Sequence, residues 1–127
     1  MIAVDSSALI AIAQDEPTAD ACIAMLMKQD RLLISAGTLA EALIVAAGRD
    51  VRDALTRLFD RLDFEIIPVT AEAARRVADA YARWGKGIHP AKLNFGDCFA
   101  YEVATGHGCP LLFVGDDFSK TDVMPAL

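Results

Sequence analysis

The stretch Leu111-Leu112-Phe113-Val114-Gly115-Asp116-Asp117-Phe118, LLFVGDDF, runs four apolar residues straight into two adjacent carboxylates. A short run of that composition suits a strand covered on both faces, as in a parallel sheet. Ionised Asp is almost never left buried without a partner, so the end of this strand must meet a positive charge or open water.

Outward from that strand, short apolar runs alternate with longer segments of helical periodicity, the signature of βαβ units and a parallel sheet. IAVD (Ile2 to Asp5) reads as a first strand, with Ser6 or Ser7 placed to cap a helix over ALIAIAQDE. Pro17 suits the first turn of a second helix, PTADACIAMLMKQ, where its missing N–H is not needed. RLLIS is a second strand, TLAEALIVAAG a helix closing at Gly48, and VRDALTRLFDRL a helix with Val51, Leu55, Leu58, Phe59 and Leu62 on one stripe. FEIIPV is a third strand. Thr70 caps AEAARRVADAYARW, Asn94 caps FGDCFAYEVATG, and PLLFV is the fourth strand; the final FSKTDVMPAL reads as an edge strand or a tail.

The chain of 127 residues suits a single domain, residues 1–127, and its 54% hydrophobic and 24% charged content is that of a globular protein. The N-terminus lacks a basic region and is broken by Asp5, which argues against a secretory signal. Leu32 to Gly48, a long run free of Lys, Arg and Asp, contains Glu41 and two glycines and makes a poor membrane span. Cys22, Cys98 and Cys109 form no C-x-x-C, and His89 and His107 offer no zinc-like pairing, so a reducing, cytoplasmic setting is expected. A net charge of −6 argues against a nucleic-acid binder with a broad basic face, but not against a nuclease whose metals offset its own acids.

Four positions hold acids for which local structure gives little reason. Asp5 is the only charged residue from Met1 through Gln14, Glu41 the only one from Leu32 through Gly48. Asp97 lies in the first turn of its helix, and Asp116 and Asp117 close the fourth strand. Asp5 and Asp97 also fit simple capping roles, and one of the Asp116–Asp117 pair fits an ordinary turn. Glu41 has no Lys or Arg within a turn, so its charge on an apolar helix lacks a local partner. In an open parallel sheet the C-terminal strand ends carry Asp5, the Glu41 helix and Asp116/Asp117 to one edge. Acids converging there without cations would repel and raise one another's pKa. A divalent cation resolves this, and oxygen-only ligation points to Mg²⁺ or Mn²⁺ and phosphodiester chemistry. Ser7 lacks a histidine partner nearby and is assigned to a metal-bound water or to the helix cap.

VDSSAL around Asp5, LAEA around Glu41, LNFGDCFAY around Asp97 and LLFVGDDFSKTDV at the end resemble, in order and spacing, the PIN-domain ribonucleases of the VapC type, toxins of prokaryotic toxin–antitoxin modules. The resemblance implies an α/β, three-layer fold with a central, mostly parallel sheet of four or five strands flanked by helices. It implies an endoribonuclease with an acidic Mg²⁺/Mn²⁺ pocket, restrained by a cognate antitoxin, and a homodimer. Asp5 and Asp97 match the family's metal ligands and Glu41 its second-block acid. The fourth acid is Asp117 or Asp116, with Asp117 favoured. Asn94 matches a residue that orients Asp97.

The basic loop WGKGIHPAKL leads into the Asp97 helix, so Lys86, His89 and Lys92 are candidates for RNA phosphates and Trp84 for stacking on an unpaired base. DALTRLFDRL and ALIAIAQDEP carry wide apolar faces, candidates for a dimer or antitoxin groove beside their default role in the core. His107 reads as a turn residue. Competing readings are a Mg²⁺-dependent nuclease or phosphatase acting on DNA or another phosphate ester, a receiver-like module with Lys120 beside the acids, and a catalytically silent RNA- or protein-binding domain.

Overall fold

The computed structural model describes all 127 residues. Four parallel strands, β1 (Ile2–Val4), β2 (Leu32–Ser35), β3 (Phe64–Ile67) and β4 (Leu111–Leu112), lie in the order β3-β2-β1-β4. Six helices connect them: α1 (Ser6–Ala13), α2 (Ala19–Met27), α3 (Ala36–Gly48), α4 (Arg52–Arg61), α5 (Ala71–Trp84) and α6 (Phe95–His107). The expected α/β architecture is thus present, with four strands rather than five. The C-terminal segment adds only a single parallel bridge, Leu111 to Pro125.

Period-two alternation divides the core into two clusters. Ala3, Leu33 and Leu111 point to one face and pack with α5 and α6; Ile2, Val4, Leu32, Ile34 and Leu112 point to the other and pack with α1 to α4. Strands β1, β2 and β4 are covered on both faces, which is why they read as continuous apolar runs, whereas the edge strand β3 leaves Glu65 and Ile66 exposed.

Three differences from the sequence expectation bear on the site. The second helix begins at Ala19, leaving Pro17 outside it. The first is capped by Asp5 rather than by Ser6 or Ser7, because the Asp5 carboxylate accepts the Ser7 N–H. Strand β4 stops at Leu112: the Val114 N–H leaves the ladder and donates to Ser7 Oγ at 3.0 Å. Gly115, at φ +103°, then turns the chain through a conformation that L side chains rarely adopt.

The strand order reverses between β1 and β4, since the chain steps from β1 to β2 and β3 on one side and returns to β4 on the other. The C-terminal ends at such a reversal open into a crevice between connections running in opposite directions. Asp5 follows β1 and Asp117 follows β4, so both emerge there.

Candidate active site

A cavity of about 310 Å³ occupies this crevice, and its lining includes Asp5, Ser6, Ser7, Glu41, Asn94, Asp97 and Asp117. Three helix starts deliver the acids. Asp5 is the N-cap of α1, Glu41 lies in the second turn of α3, and Asp97 is in the first turn of α6. The loop after β4 carries Asp117. Asp5 and Asp97 are 3% and 7% exposed, too buried to be accounted for as solvated surface charge.

The capping roles and the cavity roles prove compatible, because a carboxylate has two oxygens. Asp5 Oδ2 accepts from Ser7 N at 3.1 Å and from Ser7 Oγ at 2.6 Å, while Oδ1 is buried with no hydrogen-bond partner. Asp97 Oδ2 accepts from Asn94 N at 3.0 Å and Asn94 Oδ1 accepts from Asp97 N at 2.8 Å, a full capping box that leaves Oδ1 unused. Glu41 Oε1 accepts from Ser6 Oγ at 2.6 Å. Its other oxygen lies against Gly96, where even a Cβ would collide with the carboxylate. Glu41 therefore ties α1, α3 and α6 together at the cavity.

No cation pairs with any of these acids; the ion pairs are Met1–Asp30, Arg31–Glu65, Arg76–Glu102 and Arg83–Asp122. Burial pushes the Asp5 carboxyl up to about 6, against the pull of the Ser7 hydrogen bonds, and the Glu41 charge adds to the rise. Burial likewise pushes Asp97 up to about 7, with Asp5, Asp117 and Glu41 each contributing repulsion. In the protein alone, the charged forms of Asp5 and Asp97 are disfavoured. No three of its acids stand close enough to make a ready-formed metal cage.

The remaining candidates fall elsewhere. Asp116 is exposed and outside the cavity, and its carbonyl accepts from Ser119 in a local turn. The expectation that Trp84 stacks on a base is corrected: its ring is 8% exposed, packed in the core against Tyr101, with the His89 imidazole edge-on 4.7 Å away and Arg83 over its face. His89 is half-buried, and its Nδ1 accepts from Ala91 N. Lys86 and Lys92 are exposed but do not line the cavity. His107 ends α6 rather than forming a turn, with Nδ1 2.9 Å from the Val103 carbonyl.

Sequence reasoning missed Ser6, Glu16 and Arg49, all in the cavity lining. Arg49 was legible in principle. Glu41, Val45 and Arg49 recur every four residues and all line the cavity, so a search two turns along α3 from Glu41, rather than one, finds it. The two apolar stretches singled out from sequence do meet. Ile12 and Ala13 of α1, Ile23 and Met27 of α2, and Ala54, Leu58 and Leu62 at α4 line a second cavity of about 370 Å³, with Arg57 and Arg61 beside them.

Comparison with known proteins agrees along almost the whole chain. The PIN domain family model matches residues 2–124. Ribonuclease VapC28 of Mycobacterium tuberculosis is 41% identical over 128 residues, covering 98% of this chain and 96% of the relative. Ribonuclease VapC42 of the same species is 40% identical over 128 residues, covering 97% of each. Among solved structures, VapC20 of M. tuberculosis, described as a sarcin–ricin loop cleaving toxin, superposes with a TM-score of 0.79 at 17% identity, covering 98% of this chain and 97% of that one. A toxin–antitoxin complex from Klebsiella pneumoniae superposes with a TM-score of 0.72 at 18% identity, covering 96% and 93%.

Proposed function

The chain belongs to the PIN-domain family, and on that premise we propose that it is a metal-dependent endoribonuclease of the VapC type, acting as the toxin of a toxin–antitoxin module. The observation that carries the reading is a cluster of acids at the reversal point of a parallel sheet, Asp5 and Asp97 among them buried, that no cation of the chain pairs with. Relatives about 40% identical over nearly the whole chain and named ribonucleases supply the reaction class.

The donor set fits Mg²⁺ or Mn²⁺. It is all oxygen, and the unpartnered Asp5 Oδ1 is a group that burial alone leaves costly. Asp5 and Asp97 would hold the ion, with Glu41 and Asp117 beside them. The absence of a closed cage suits Mg²⁺, which keeps most of its coordination for water and phosphate oxygen. Such an ion, when bound, lowers the pKa of water and stabilises the leaving oxygen. The chain's own residues do the positioning: Ser7 orients Asp5, Asn94 orients Asp97, and Ser6 orients Glu41. Lys86 and Lys92 would add outer contacts to RNA phosphates.

The antitoxin is proposed to lay a helix in the α1–α2–α4 groove, whose apolar floor and flanking Arg57 and Arg61 suit an amphipathic segment bearing acids. An antitoxin arginine reaching the acids would complete the inhibition. Exposed Ile44 and Phe95, 73% and 69% accessible, suit a second copy of the chain in a homodimer. Three free, buried cysteines accord with a cytoplasmic setting, and no helix is long and apolar enough to cross a membrane.

The test is cleavage of a mixed RNA pool by purified, antitoxin-free protein in Mg²⁺ or Mn²⁺, with an EDTA control. Metal-dependent cleavage that Asp5→Asn removes is expected. Cleavage that survives EDTA, or that Asp5→Asn leaves intact, overturns the assignment.

A further inference from the structure

A pocket of acids that must admit a polyanion has an electrostatic problem. Asp5, Glu16, Glu41, Asp97 and Asp117 all line the cavity, and every phosphate of an incoming strand adds another negative charge. Arg49 is the only cation in that lining. It forms none of the chain's ion pairs, although acids surround the site. Its Nη1 instead donates to the neutral Gln14 Oε1 at 2.6 Å.

That arrangement is informative. An arginine whose role was to neutralise the acids would pair with one of them. Here an amide just past the end of α1 steers the guanidinium while leaving its charge intact. Only one of its five N–H groups is engaged within the chain, which leaves donors in the fork geometry that phosphate accepts bidentately. Eight residues from Glu41, on the same stripe of α3, Arg49 sits about 12 Å along the helix axis from that acid. Being exposed, it keeps its hydration until a ligand arrives, and the Gln14 bond reduces the rotamer freedom lost on binding.

We propose that Arg49 is a substrate-binding residue of this site, taking a flanking phosphate of the RNA strand whose neighbouring bond is cut. The inference rests on the ribonuclease reading and adds to it the residue that brings a polyanion into an acidic pocket. Gln14 is the positioning residue that aims it.

The test compares Arg49→Ala, Arg49→Lys and Gln14→Ala. Binding of a labelled RNA that the wild-type protein cuts is followed by fluorescence anisotropy in an Asp97→Asn background, from about 50 to about 300 mM KCl. Steady-state cleavage is measured in the otherwise wild-type chain. Arg49→Ala is expected to weaken binding about tenfold and to lower the slope of log affinity against log salt by about 0.7, one phosphate contact on a single strand. KM rises by a similar factor while kcat stays within about twofold. Arg49→Lys and Gln14→Ala keep the salt slope. An unchanged slope in Arg49→Ala overturns the proposal, as does a Gln14→Ala variant that reproduces its loss, since both then report a tether between α1 and α3. If the wild-type protein neither binds nor cuts RNA, the ribonuclease reading falls and this inference falls with it. If wild-type cleaves, Asp97→Asn does not, and Arg49→Ala matches wild-type, only the inference falls.

Discussion

Helix α6 carries two buried acids, Asp97 and Glu102, each 7% exposed, and the chain treats them in opposite ways. Glu102 Oε1 accepts from Arg76 Nε at 3.0 Å and Nη2 at 2.8 Å, an ion pair between α5 and α6 with the arginine half in solvent. Asp97 has no cation, a capping bond to one oxygen only, and three further acids near enough to repel it. A structural acid is neutralised by its own chain. An acid left buried and unpaired on the same helix is held for something the chain does not contain.

The contrast sharpens first at the end of β4. Asp117 lines the cavity and Asp116 does not, so Asp117→Asn should lower RNA cleavage by about a hundredfold or more, while Asp116→Asn stays within about twofold of wild-type. Equal losses in the two variants would show that the loop moves to use both.

Gly96→Ala should come next. A methyl at that position displaces the Glu41 carboxylate, so cleavage is expected to fall roughly tenfold, although alanine is the better helix former. Combining it with Glu41→Asp, a shorter acid, should recover part of that loss. A double variant no better than Gly96→Ala alone would remove Glu41 from the account.

The unpaired acids also set a pH dependence. With Asp5 held at about 6 and Asp97 at about 7, the folded chain retains protons that unfolded carboxyls near 3.8 have released. The stability this provides is complete below pH ~4 and lost as pH rises through 6 to 7. Metal-free protein should therefore melt roughly 5–10 °C lower at pH 8 than at pH 5, and Mg²⁺ should restore much of the difference at pH 8. A melting temperature that climbs over that range, or ignores Mg²⁺, contradicts a cation-seeking cluster. The smallest effect belongs to the surface: Lys86→Ala should raise KM by no more than about twofold, less than Arg49→Ala.

Much of this was legible in the sequence because the relevant patterns are local. Apolar runs marked all four strands, and Thr70 and Asn94 marked two helix starts where the side chains do accept cap hydrogen bonds. Glu41 stood out because no Lys or Arg lies within a helical turn of it. What failed to show depends on long-range geometry. Trp84 looked like a surface aromatic in a basic loop, yet its ring closes the core between α5 and α6. Strand β4 looked five residues long, but Ser7, 107 positions away in sequence, takes the Val114 N–H. Asp5 and Asp97 seemed to require a choice between cap and site, and the structure assigns one oxygen of each to the cap and leaves the other free.

The most direct test crosses the two acids of α6, measuring RNA cleavage and metal-free melting temperature for Asp97→Asn and Glu102→Gln side by side. Asp97→Asn should abolish metal-dependent cleavage while keeping or raising the melting temperature. Glu102→Gln should cost about 1–2 kcal/mol of stability while the folded fraction cleaves within about twofold of wild-type. Wild-type cleavage by Asp97→Asn, or loss of cleavage in well-folded Glu102→Gln, would contradict the division between a paired acid that holds the fold and an unpaired one that serves the reaction.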